Sequence, residues 1–282
     1  MPDAFPDLGA LPFRRRRDAG DVLRETVGFL RATARELGRA YLAVVAPVAL
    51  ASGLAAGLYL AQVGDAFLDP AALEADPSAI LTPAYWGVVL FGLLGSAVSV
   101  AAAAGYVRLY RAGHAGDVTA AALWDETRAL LLPMLALALA YSIGLGATTA
   151  LWSVPVVGPL AWLALAVWSV PYVAIAMAAR ALDAETLGEA WHRSRALVAG
   201  AWWVTFRSLL LVAVMFYLAV IVAVVPLLIV ASALGAGPLA LAPLQVVVFA
   251  GYLLPYMAAF MVHGSLSARA AAAADDPRRS AA

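Results

Sequence analysis

The sequence predicts an all-α integral membrane protein of six transmembrane helices. Three observations carry that fold class. The chain is 64% hydrophobic and only 13% charged, whereas soluble domains are about half apolar and about a quarter charged. A chain of 282 residues keeps a large surface to cover, so such an excess cannot all be buried in water. The apolar residues gather in runs long enough to cross a hydrocarbon core, which takes about 20 helical residues. The charges between those runs are sorted by sign and by side.

The runs lie at about 40–61, 84–107, 129–151, 160–179, 205–230 and 244–266. None carries Asp, Glu or Arg in its central part. They are unbroken and do not alternate, which excludes a barrel-strand reading. All 18 basic residues are arginines. They stand before the first run (Arg14–Arg17, Arg24, Arg31, Arg35, Arg39) and after the second (Arg108, Arg111, Arg128). The rest follow the fourth run (Arg180, Arg193, Arg195, Arg207) and the sixth (Arg269, Arg278, Arg279). The first connection instead holds Asp65, Asp69, Glu74 and Asp76, and the third and fifth are uncharged. Arginine retention on the cytoplasmic side therefore predicts that both termini are cytoplasmic. The start of the chain is not a secretory signal, because Asp3 and Asp7 precede the arginines and the first run begins only near Ala40. The expected organisation is a disordered basic tail at 1–20, one membrane domain at 21–268 and a disordered tail at 269–282.

About three cytoplasmic amphipathic helices are expected at the membrane interface. Residues 21–39 place Leu23, Val27, Leu30, Ala34 and Leu37 on one stripe, with Asp21 as cap. Residues 117–130 use Asp117 as cap, with Ala120, Leu123, Trp124, Thr127 and Leu131. Residues 183–200 use Asp183, with Leu187, Trp191, Ser194 and Val198. Helices of this kind lie apolar face down in the interface, where Trp124, Trp191, Trp202 and Trp203 are also favoured.

The three align with one another. Leu23-Arg24-Glu25-Thr26 matches Trp124-Asp125-Glu126-Thr127 and Trp191-His192-Arg193-Ser194, and each copy precedes two runs. Pro171-Tyr172-Val173-Ala174 also matches Pro255-Tyr256-Met257-Ala258. A helix-plus-hairpin unit used three times accounts for this. Alanine and leucine bias is the competing account.

Few residues suggest chemistry. Arg14, Arg15, Arg16 and Arg17 either contact anionic lipid or simply fix topology. The absence of cysteine removes thiol chemistry and iron–sulfur ligation. His114, His192 and His263 stand at no metal-ligand spacing, and no cofactor is expected. Gly53 and Gly57 form a GxxxG, better suited here to packing within the bundle than to dimerisation. Pro47, Pro133, Pro171, Pro226 and Pro255 are expected to shape the spans. Nothing fits base contact with nucleic acid.

Glu189-Ala190-Trp191-His192-Arg193-Ser194-Arg195-Ala196-Leu197, followed by Trp202-Trp203-Val204-Thr205-Phe206, resembles a segment of a group of bacterial six-span proteins. The group includes the membrane domain fused to some glycerophosphodiester phosphodiesterases, and related families of unknown function. The resemblance covers most of the chain in layout. It implies a membrane domain in the bacterial cytoplasmic membrane, without the catalytic barrel, so no catalytic residue carries over. The expected role is a non-enzymatic scaffold or assembly partner with a cytoplasmic working face, its protein partner unspecified. A small-molecule or lipid translocator is the alternative, and a membrane-embedded enzyme the third reading.

Overall fold

The computed structural model describes residues 16–68, 80–114, 116–148, 151, 156–183, 186–233 and 241–274. These form α1 (Ala19–Leu68), α2 (Pro83–Arg111), α3 (Ala120–Ala147), α4 (Val157–Leu182), α5 (Leu187–Ala199), α6 (Trp202–Ala233), α7 (Leu241–Gly251) and α8 (Leu253–Ala274). No strand occurs among the described residues. Six helical segments are long and apolar enough to cross a membrane, the sixth being α7 and α8 together. The predicted fold class therefore holds. The helical part extends past both ends of the expected 21–268 domain, starting at Ala19 and reaching Ala274.

Two of the three expected amphipathic helices are not separate elements. Residues 21–39 and the first span form one 50-residue helix, about 75 Å of continuous helix. No proline stands between Glu36 and Ala40, and Gly38, the one residue there that favours a helix end, lies within the helix, so propagation continues through it. The second likewise runs directly into α3. Only α5 stands alone, ended at Gly200.

The caps also differ from those expected. The Asp18 carboxylate accepts the Asp21 N–H at 2.7 Å, Thr119 accepts from Ala122 at 3.2 Å, and Thr186 closes a capping box with Glu189. Asp21, Asp117 and Asp183 each lie within three residues of the cap that is used. Among the prolines inside spans, only Pro255 accompanies a break. Its missing N–H leaves the Gly251 carbonyl without its helical donor, and α7 ends there.

The bundle is built as two rings. The second helices of the three hairpins, α2, α4 and α8, touch one another at the centre. Each first helix packs between two of them: α1 between α2 and α7–α8, α3 between α2 and α4, and α6 between α8 and α4. Small side chains permit the central approach. Ala101–Ala104, Ala176, Ala178, Ala179, Ala181 and Ala258 are fully buried.

The three repeat segments seat on this core in the same way. Val22, Leu123 and Ala190 are buried at one aligned position, and Thr26, Thr127 and Ser194 at another. Each segment packs on the second helix of the hairpin before it, and the first copy packs on the last helix, which closes the circle. The stripes expected for the segments are therefore rotated. The buried face of the first is Val22, Thr26, Phe29, Thr33 and Leu37, and Trp124, Leu187 and Trp191 face outward.

Register along α1 is set by three contacts with the sixth span. Thr26 Oγ1 meets Met261 Sδ at 3.5 Å, Tyr41 donates to the Phe249 carbonyl at 3.2 Å, and Gly53 meets the Ala242 backbone. α8 thus lies level with the half of α1 that carries exposed Arg24, Arg31, Arg35 and Arg39. Residues 257–266 are apolar on most sides because protein surrounds them.

Candidate functional site: polar contacts at the arginine end

Most charged side chains of the described residues lie at the end where α1 begins and α8 finishes. There the polar groups join helices. The Arg17 side chain is 1% exposed and its Nε lies 2.7 Å from Glu25 Oε2. Its backbone N–H donates to Ser265 Oγ at 2.9 Å, and Arg269 donates to its carbonyl at 2.7 Å. Arg17 therefore pins the entry of α1 to α8. Of the Arg14–Arg17 run, read as either a lipid contact or a topology signal, Arg17 is a buried structural residue, Arg16 is exposed, and Arg14 and Arg15 lie outside the described residues.

The other two repeats carry matching pairs. Arg108 at the end of α2 lies 3.5 Å from Glu126 and donates to the Ala181 carbonyl at 2.6 Å. Arg193 of α5 lies 3.3 Å from Asp183, and Ser194 donates to the Tyr172 carbonyl at 2.6 Å. Glu25, Glu126 and Arg193 are the same column of the sequence alignment. The charge is inverted in the third copy, and its partner is inverted with it.

The Glu36 carboxylate accepts the Gly116 N–H at 3.1 Å and the Val118 N–H at 2.9 Å, clasping the α2–α3 connection. That connection turns through Gly113 and Gly116, at φ 88° and 94°, a region glycine enters without a Cβ clash. Glu189 has a carboxyl pKa below the usual value, because its carboxylate accepts the Thr186 backbone N–H and hydroxyl.

His263 is buried, and its Nε2 lies 3.4 Å from Asp183 Oδ2. Eighty positions of sequence separate the two, so only the packing of α4 on α8 reveals the pair. His114 and His192 are exposed. Asp65 belongs to α1, while Asp69, Glu74 and Asp76 lie outside the described residues. Among the described residues no three His, Cys, Asp or Glu gather as metal ligands.

Two apolar cavities flank α4. One, of about 470 Å³, lies between α3 and α4 with Leu187 and Trp191 of α5 at one end. The other, of about 270 Å³, lies between α4, α6 and α8. Fold and site together define a multi-pass integral membrane protein whose polar groups bind its own helices. Comparison with protein-family models, with curated proteins and with solved structures found no match.

Proposed function

We propose that the chain is a non-enzymatic scaffold or assembly partner of a bacterial cytoplasmic membrane, with both termini in the cytoplasm and its arginine end as the working face. One observation supports this most. The buried polar groups of that end hold helices together, while its exposed surface presents cations with no ion-pair partner among the described residues. Arg31, Arg35 and Arg39 on α1, Arg111 on α2, Arg195 on α5 and Arg207 on α6 are all exposed in this way. The alanine seam between α2, α4 and α8 is fully buried at that level, which favours the scaffold over the translocator.

The test is recovery of membrane partners by tagged wild-type protein and by an Arg31→Gln/Arg35→Gln/Arg195→Gln variant. The proposal expects a protein recovered in stoichiometric amount with the wild type and lost with the variant at equal expression and equal Tm. Identical recovery from both would refute the assignment of the working face.

A further inference from the structure

We propose that the cavity between α3 and α4 is a binding site for an anionic phospholipid, with an acyl chain along the helices and the headgroup at the α5 end. The inference does not rest on the scaffold reading, although both use Arg195, and the groove-filling variant leaves that residue intact.

The lining is apolar and its hydroxyls are engaged. Thr148 donates to the Leu145 carbonyl at 2.6 Å, and Ser169 to the Ala166 carbonyl at 2.9 Å, with the Tyr141 hydroxyl 3.5 Å from Ser169 Oγ. A polar solute would find almost nothing to bind there, and a hydrocarbon chain needs nothing.

Shape favours a narrower occupant than a helix. On the α3 side the cavity runs from Ala136 to Thr148, about 18 Å at the helical rise. A volume of about 470 Å³ over that length is a track about 6 Å wide for the centres of water-sized spheres, or about 9 Å from wall to wall, against 10–12 Å for a helix with its side chains. The floor is Ala136, Ala140 and Gly144, a small-residue stripe of the kind that usually admits another helix. Here α4 stands off from it, with Leu165, Trp168 and Val173 forming the opposite wall. The second cavity shares Tyr141 and Val173 with the first, so the two tails of one lipid can lie on either side of this junction.

Charge fixes the polarity of the occupant. Arg180 follows Ala176 by one turn of α4, and Arg195 follows Trp191 by one turn of α5. Neither makes an ion pair among the described residues. The opposite end of the hairpin carries no arginine at all. An anionic headgroup is therefore matched only at the α5 end, where Trp191 provides the indole favoured at headgroup depth.

The test uses the whole protein purified in mild detergent, with bound lipid counted by native mass spectrometry during titration with phosphatidylglycerol or phosphatidylcholine. Wild type should retain about one phosphatidylglycerol per chain. Ala140→Leu/Gly144→Leu should fill the groove and remove that lipid; no atom stands within 4 Å of a Cβ built on Gly144, so the change introduces no clash there. Arg180→Gln/Arg195→Gln should lower the preference for phosphatidylglycerol over phosphatidylcholine about thirtyfold. Independently of any variant, a photoreactive acyl chain should label α3 and α4 of the wild type. Undiminished lipid in the filled variant, labelling confined to α1 or α6, or a dimer that the filled variant abolishes would each overturn the proposal, the last by assigning the groove to a second copy.

Discussion

Arg17 is the residue whose loss should be felt most. Its guanidinium and the Glu25 carboxylate are both largely out of water, 2.7 Å apart. Breaking such a pair by removing one partner strands the other charge, at about 3–5 kcal/mol. Arg17→Ala should therefore lower Tm sharply in a detergent melt. Arg16→Ala, one residue away and exposed, should change stability by no more than about 0.5 kcal/mol. Equal effects from the two would show that Arg17 is not buried as described. Glu189 supplies a test with a sign. Its folded pKa is depressed by hydrogen bonds from Thr186, so its contribution is present above the unfolded carboxyl pKa and disappears as pH falls through the folded value. Melts of Glu189→Gln should differ from wild type near neutrality and converge in acid. Sequence placed Arg17 within a basic tail because four arginines in a row resemble one another. What separates Arg17 is a contact with Ser265, on a helix at the other end of the chain, and no local pattern encodes that.

At the scale of elements, close approach decides which glycines matter. A Cβ built on Gly105 stands 2.9 Å from Glu126 Cβ on α3, and one built on Gly53 meets the backbone of α7. Gly53→Leu and Gly105→Leu should each cost about 1–3 kcal/mol through overpacking, read as lowered Tm, while Gly144→Leu should not. The GxxxG of the first span was legible as a packing site within the bundle, and Gly53 serves as one. The number of spans was legible because lipid demands long apolar runs. Helix boundaries were not: from Arg24 to Leu60 the amphipathic and apolar stretches share one uninterrupted helix. The expected stripes included Thr127 and Ser194, which are buried, but missed Thr26 and added Trp124, Leu187 and Trp191, which face outward. A buried threonine can bond a helix carbonyl, as Thr127 does with Leu123 at 2.7 Å, and so it occupies core positions that hydropathy assigns to the surface.

For the whole molecule, the three units close into a circle because the first segment seats on the last helix. Residues 257–266 read only as part of the sixth apolar run in the sequence, since hydropathy cannot tell a lipid solvent from a surrounding protein core. The register of α1 on α8 puts them in a packed half at the arginine end. The proposed cytoplasmic working face stands or falls on which side that end occupies. The native chain has no cysteine, so a single introduced thiol reports its own side of the membrane. Arg35→Cys, on the exposed face of α1, should react with a membrane-impermeant maleimide only after cells are opened, and Asp69→Cys should react in intact cells. Labelling of Arg35→Cys in intact cells, with Asp69→Cys protected until lysis, would contradict the account.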